Sequence, residues 1–162
     1  MSHKAFTLIE TLVAISVLLV SLVGPLSIAA KALQSAYYAR DEVTASYLAQ
    51  EGIEYVRALR DQNYLNGQPW LTGISDCIGV ACAVDFPNFT HTLCTNGVCT
   101  PLLISPTTGL YNVQSGSASP YTRTLTLTQV SPTEVKIDVT ITWMSAAISR
   151  QIRLTEFISD WL

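Results

Sequence analysis

A charge-free apolar run near the N-terminus constrains this chain more than any other feature. Residues 11–30 read TLVAISVLLVSLVGPLSIAA and contain no Asp, Glu, Lys or Arg. A helix of about 20 apolar residues crosses the hydrocarbon core of a bilayer, which is roughly 30 Å thick. The run therefore predicts a membrane-spanning helix, so that any domain outside the membrane must be built from the remainder of the 162 residues.

The overall composition agrees with an apolar segment joined to a modest polar domain. Charged residues make up 13% of the chain, about half of the ~25% typical of soluble domains. The net charge is −3, and the Lys and Arg residues form no basic stripe. The sequence therefore contains no recognisable motif for binding nucleic acid.

A single carboxylate, Glu10, stands at the start of the apolar run. A carboxylate within the membrane costs about 2.5–3.5 kcal/mol on insertion scales, and such residues usually have a partner. A secretory signal would have a shorter apolar stretch, followed by a cleavage site made of small residues. The segment SIAAKA at residues 27–32 is a poor match to such a cleavage site. The simplest alternative is an uncleaved anchor that Lys4 keeps with its N-terminus in the cytoplasm.

The stretch AFTLIETLVAISVLL, which begins at Ala5, resembles the N-terminal processing signal of type IV prepilins and type II secretion pseudopilins. In that family a prepilin peptidase removes a short basic leader, cuts before a Phe, methylates the new N-terminus, and leaves a Glu as the fifth mature residue. The resemblance implies a leader of residues 1–5 and a cut between Ala5 and Phe6. It further implies that Glu10 pairs with the N-terminal amine of a neighbouring subunit, an amine that is cationic near neutral pH.

The helix is expected to continue far beyond the membrane. Residues 6–30 form its transmembrane or filament-core half, interrupted only by Gly24-Pro25. Proline removes one helical hydrogen bond and clashes with the preceding turn, so we expect a kink or local melting at about residues 20–26.

Residues 31–62 are predicted to form the amphipathic half of the same helix, which packs on the head. One face has apolar and small residues at helical spacing, namely Ala45, Ala49, Gly52, Ile53, Val56 and Leu59. The small residues should let a sheet approach closely. The opposing face is expected to be polar, with Arg40, Asp41, Glu51, Glu54 and Arg57. Asn66-Gly67 and Pro69 predict the end of the helix.

Residues 63–120 are predicted to be a connector with short strands and turns, and they contain both cysteine pairs. Four cysteines allow three connectivities, of which we favour the local pairs Cys77–Cys82 and Cys94–Cys99. Each small loop would stabilise the fold by roughly 2 kcal/mol. Zinc is the rival interpretation, but zinc sites more often use C-x2-C than the C-x4-C spacing found here, so we expect no metal.

Residues 121–162 are predicted to form an antiparallel meander. Apolar and polar residues alternate in TRTLTLTQV (122–130) and EVKIDVTITW (134–143), and a third strand fits AISRQIRLTEF (147–157). The apolar face needs a cover, and the amphipathic helix can supply it. The fold class is therefore α+β, and it resembles the pilin head; the C-terminal segment is similar to minor pilins and minor pseudopilins.

The sequence contains no motif for catalysis. His3 lies in the leader, and His91 is expected to be a solvated loop residue. Asp76 and Asp85 flank the first cysteine pair without the dense Asp/Asn/Gly run of a calcium loop. The triplet at Asn88 matches a glycosylation signal but is short enough to arise by chance.

These features favour a structural subunit of a type IV pilus or pilus-like filament, with no cofactor and no enzymatic activity. The resemblance implies four partners: other pilin subunits, a prepilin peptidase, an inner-membrane assembly machinery and, before assembly, membrane lipid. It places the chain in the cytoplasmic membrane of a prokaryote and then in an extracellular filament or periplasmic pseudopilus. A single-pass anchored binding domain is the alternative, and an anchored enzyme comes third.

Overall fold

The structure, a computed structural model, describes residues 7–145 and 147–160. The chain divides into two compact units, one ending at Asp41 and the other beginning at Glu42. A long helix, α1 (Leu8–Leu65), contributes residues to both. The first unit is helical from Leu8 onwards, and the side chains of residues 7–37 are all exposed.

The second unit begins with the C-terminal part of α1, whose packed face starts at Ala45. All six residues of the predicted face are buried or partly buried, and Leu48, Tyr55 and Asn63 join them. The helix ends where Gly67 adopts a positive φ of 63°. There the amide of Gln68 donates to the carbonyl of Asn63 at 2.9 Å, the bond that satisfies a helix C-terminus in a Schellman motif.

Within the described residues, seven strands form one sheet in which every pair of neighbouring strands is antiparallel. The strands are β1 (Cys82–Asp85), β2 (Thr90–Leu93), β3 (Pro101–Ile104), β4 (Tyr111–Asn112), β5 (Ser117–Ser131), β6 (Glu134–Ser145) and β7 (Ile148–Ser159). The long strand β5 lies at the centre: β6 pairs with one of its edges, and β1 and β3 pair with the other.

The predicted meander is confirmed as β5–β6–β7. The side chains of β6 at Val135, Ile137, Val139, Ile141 and Trp143 are all buried, as the alternation indicated. On β7 the partly or fully buried positions include Ile152, Leu154, Glu156 and Ile158, so a single inner face runs across all three strands. The α+β arrangement, with the helix packed on an antiparallel sheet, is therefore confirmed.

The sheet is larger than the three predicted strands. Residues 63–120, expected to connect helix and meander, contribute β1–β4 to the same sheet and a 3-10 helix at Ser75–Cys77. The four strands are only two to four residues long, and strands this short leave little periodic signal in a sequence.

Helix and sheet approach each other closely at Gly52. A Cβ added there would lie 2.9 Å from Cγ1 of Val139, nearer than real Cβ atoms approach a neighbour. The prediction that small residues admit the sheet is thus confirmed at this position.

The expected polar face needs a correction, because two of its charged residues bind the sheet. Glu51 accepts a hydrogen bond from Arg123 on β5 at 2.9 Å, and Nε of Arg57 donates to Glu156 on β7 at 2.8 Å. Helical spacing separates an apolar stripe from a polar one, but it does not show that residues beside the stripe can reach charged groups on the facing sheet.

Candidate functional site

The first unit presents a continuous apolar surface along α1. In the part of the chain that the structure describes, α1 has the length and composition to cross a membrane, with a mean hydropathy of 2.4 over its most apolar 18 residues. No residue of that window is buried, and Leu8, Ile9 and Val20 are each more than 70% exposed. Such a surface is stable only in lipid or against other apolar helices.

Glu10 lies in the first turn of this helix, where Thr7 provides the N-cap. The amide of Glu10 donates to Oγ1 of Thr7 at 3.3 Å, which is the backbone half of a capping box. The positive end of the helix dipole favours a carboxylate in this turn. The helix N-terminus therefore stabilises a negative charge on the side chain of Glu10. Among residues 7–145 and 147–160, no cationic side chain forms an ion pair with Glu10.

The two predicted processing residues, Ala5 and Phe6, lie outside the described residues, as does the rest of the predicted leader at residues 1–4. The helix-breaking pair lies within them. Residues 20–26 are helical throughout, Pro25 included, so the local melting considered for this segment is not present in the single chain. A kink at Gly24-Pro25 stays a prediction.

Both cysteine pairs are closed locally in the second unit. Cys77 bonds to Cys82 with 5.7 Å between their Cα atoms, and Cys94 bonds to Cys99 with 4.5 Å between theirs. The first disulfide joins the 3-10 helix to the start of β1, and both of its cysteines are fully buried. The second closes a turn in which Asn96 and Gly97 both adopt positive φ, as the Asn-Gly signal suggested.

His91 is not the solvated loop residue that we expected. It lies on β2 with its side chain 15% exposed, between Asp76 and Tyr55. Its Nε2 is 2.9 Å from Oδ1 of Asp76, and its Nδ1 is 3.3 Å from the hydroxyl of Tyr55. Burial, with smaller contributions from the charges of Asp76 and Asp85, raises the pKa of Tyr55 to about 12, so this phenol keeps its proton.

Asp85 is fully buried and organises the neighbouring loops. Its carboxylate accepts hydrogen bonds from the side chain and amide of Asn88 and from the amide of Val113. These bonds account for its burial and occupy its oxygens. They also hold the Asn88 amide nitrogen, the atom to which a glycan would be attached.

A fully buried cation, Arg123, lies on the inner face of β5 with no exposed surface. It donates to the carbonyls of Leu48 and Val84 and to the carboxylate of Glu51. Burial lowers the pKa of Arg123, and the Glu51 charge opposes that shift. The alternation of TRTLTLT puts Arg123 in phase with Leu125 and Leu127, on the inner face of the strand. That signal could have found the residue, but the sequence does not show which groups would compensate its charge.

Comparison with known protein families bears on the first unit. Residues 1–24 match the family described as the prokaryotic N-terminal methylation motif. The chain carries the signature of type IV prepilins and pseudopilins. No curated protein matches the chain, and no solved structure does.

The prepilin signature covers the predicted leader, Glu10 and most of the apolar half of α1. Together with the long apolar helix, it supports a membrane-anchored subunit of pilin or pseudopilin type and points to a structural role. The methylation-motif match ends at residue 24, so the sheet and both disulfides belong to a part of the chain that the match does not cover.

Proposed function

We propose that this chain is a structural subunit of a type IV pilus or a related filament. The observation that carries the proposal is the prepilin signature on a helix whose apolar face is wholly exposed. A helix of this kind is inserted in the membrane first and is then withdrawn into a bundle of like helices, which replaces lipid contacts by protein contacts. Other pilin subunits, and membrane lipid before assembly, are therefore its partners.

The role proposed for Glu10 follows from the free-energy cost of placing a carboxylate in an apolar environment. Prepilin peptidase would cut after Ala5 and leave Phe6 with a free α-amine that is cationic near neutral pH. Methylation keeps that charge. A neighbouring subunit would offer its amine to Glu10, and the ion pair would offset the cost of holding a carboxylate among apolar helices. An inner-membrane machinery would drive the transfer from membrane to filament.

Mass spectrometry of the N-terminus isolated from membranes tests the processing step. We expect a mature chain that begins with N-methylated Phe6 and lacks residues 1–5. A chain that retains Met1 or Ser2 would contradict the proposal and would favour a plain anchored extracytoplasmic domain. Replacement of Phe6 by Asp should prevent the cut and serves as the control.

Filament incorporation tests the role of Glu10. In cells that assemble surface filaments, we expect Glu10→Ala to be made and inserted but to be depleted at least about tenfold from sheared filaments, the effect of losing roughly 1.4 kcal/mol. Glu42→Ala is the matched control, because Glu42 is an exposed glutamate on the same helix. Normal incorporation of Glu10→Ala would remove this account of the carboxylate.

A further inference from the structure

Three side chains with metal-binding atoms converge where the 3-10 helix and β2 meet, and a disulfide joins a fourth residue to them. The ligand atoms of Asp76, Cys77 and His91 all lie within 4.8 Å of one another. The fourth residue, Cys82, is joined to Cys77 through the disulfide. The sequence offered only a C-x4-C pair here, and it is the pairing of β1 with β2 that brings His91 to the cysteines.

We propose that this cluster binds one Zn²⁺ ion when the Cys77–Cys82 disulfide is reduced. Two thiolates, one imidazole and one carboxylate would make a four-coordinate site from donors that zinc prefers. The site goes beyond the filament role and is independent of it. In the oxidised chain the two sulfurs are bonded to each other, so the disulfide and the metal are mutually exclusive.

The present spacing is close to what zinc requires. Bond lengths of 2.0–2.3 Å in a tetrahedron put neighbouring ligand atoms about 3.3–3.8 Å apart. Nε2 of His91 is 2.9 Å from Oδ1 of Asp76, and that oxygen is 3.8 Å from Sγ of Cys77. The main change on reduction is that the two sulfurs separate, and a Cα distance of 5.7 Å leaves room for side-chain rotation alone to achieve this.

The imidazole of His91 is already held in the orientation that a metal ligand needs. A zinc-bound histidine usually donates its second N–H to a fixed oxygen, which sets its tautomer and ring orientation. The hydroxyl of Tyr55 is 3.3 Å from Nδ1 of His91, and Tyr55 itself is buried in α1. Nε2 is thereby directed at Asp76. The side chain of Asp76 is 53% exposed, so an entering ion can meet this ligand first, whereas the two cysteines are buried beneath it.

A dithiol is the reductant that opens the Cys77–Cys82 disulfide. The dithiol forms its own disulfide and leaves two thiols at Cys77 and Cys82. Zinc then displaces one proton from each thiol. When zinc is bound through Nε2 of His91, the imidazole proton lies on Nδ1, where it is donated to the hydroxyl oxygen of Tyr55.

The second cysteine pair provides an internal control. Cys94–Cys99 has the same sequence separation as Cys77–Cys82. Among the described residues, however, it belongs to no such group of His, Cys, Asp or Glu ligands. If zinc simply binds any pair of thiols, both reduced cysteine pairs should bind it. If the surrounding ligands form a specific site, only the Cys77–Cys82 pair should bind zinc.

The test uses the full chain in detergent, reduced with a dithiol that is then removed without oxygen. Zinc content and competition with a chromogenic chelator measure stoichiometry and affinity, and Co²⁺ substitution reports thiolate ligation by its visible absorption. We expect one Zn²⁺ per reduced chain and none in the oxidised chain. Replacement of both Cys94 and Cys99 by Ser should leave that one ion bound.

Single substitutions then separate a built site from thiol binding. We expect Tyr55→Phe to weaken zinc binding about tenfold, as loss of an outer hydrogen bond does, and His91→Gln to weaken it further. Tyr47→Phe, an exposed tyrosine on the same helix, should have no effect. The proposal is wrong if His91→Gln binds zinc as tightly as the parent chain does. It is also wrong if the reduced chain binds no zinc, provided that circular dichroism shows the reduced chain to be folded or that it has been refolded with zinc present.

Discussion

Arg123 shows what a single residue contributes to this fold. Its guanidinium lies between α1 and the sheet and binds one carbonyl from each, Leu48 on the helix and Val84 on β1. Glu51 supplies the compensating charge. A buried ion pair is costly to form but costlier to break, because removal of one partner leaves the other charge without compensation. Arg123 thus links α1 to the sheet through three hydrogen bonds.

Replacement of Arg123 by Met should reveal this dependence. We expect Arg123→Met to lower the free energy of unfolding of the second unit by about 3 kcal/mol, since Glu51 and two carbonyls lose their donor. Gln151→Met should change it by less than about 0.5 kcal/mol, because substitutions at exposed positions rarely cost more. Urea unfolding followed by tryptophan fluorescence measures both variants. If the Arg123 variant and the control variant have the same free energy of unfolding, the buried ion pair of Arg123 and Glu51 does not contribute to stability.

Gly52 makes a second prediction at the scale of one residue. Gly52→Ala should destabilise the second unit by about 1–2 kcal/mol, because the overlap of the new Cβ with Val139 outweighs the gain in helix propensity. Gly24→Ala is the control, since a Cβ at Gly24 meets nothing within 4 Å. A raised melting temperature for Gly52→Ala would show that helix and sheet can separate at little cost.

At the scale of elements, the outer face of β6 and β7 is held by a charge cluster around Asp138. This residue is only 8% exposed, and its carboxylate accepts hydrogen bonds from Arg153 at 3.1 Å and Thr155 at 2.6 Å. Lys136 lies 2.9 Å from its other oxygen. The Arg153 hydrogen bond, followed by those from Thr155 and Lys136, holds the pKa of Asp138 well below its usual range despite burial.

That depressed pKa predicts how stability changes in acid. The unfolded chain has an Asp pKa of about 3.9, so Asp138 contributes its full stabilisation above that pH and loses it progressively as the pH falls towards the pKa of the folded state. We expect Asp138→Asn to cost roughly 1–2 kcal/mol at pH 7 and clearly less at pH 2. Acid and neutral urea unfolding curves measure the difference. Asp160→Asn, at an exposed position outside the cluster, is the control. A cost that is the same at both pH values would contradict this account.

At the scale of the whole molecule, the two units are stabilised in different ways. The helix up to Asp41 is largely exposed and apolar, and its partners are lipid or other helices. The unit from Glu42 has its own core, formed by α1 and the sheet. Two disulfides close loops of equal size within the second unit, so chain entropy alone assigns each about 2 kcal/mol.

Removal of each disulfide should nevertheless have unequal effects. Replacing Cys77 and Cys82 by Ala should cost about 3 kcal/mol, because both cysteines are fully buried and the substitution also leaves a cavity. Replacing Cys94 and Cys99 should cost about 2 kcal/mol, since that pair closes a surface turn. Chemical unfolding of the two double variants in the same detergent gives the comparison. The reverse order would be evidence that burial of the sulfurs does not decide how much each disulfide stabilises the fold.

The sequence alone determined the features that depend on local order. The prepilin signature, the charge-free run, the amphipathic face from Ala45 to Leu59 and the alternation of β5–β7 are all patterns of fixed spacing, and the helix and the three strands lie where that spacing indicated. The short separations along the chain favoured local closure of the two disulfides but left the other pairings open, and the structure has the local pairs.

Only the tertiary structure decided which distant residues meet. The burial of Arg123 against Glu51, the reach of Arg57 to Glu156, and the position of His91 between Tyr55 and Asp76 depend on strand register and on how the helix lies on the sheet. These are contacts between residues 15 to 99 positions apart. No periodic pattern encodes such pairings, because a charged side chain beside an apolar stripe looks the same whether it meets water or a partner.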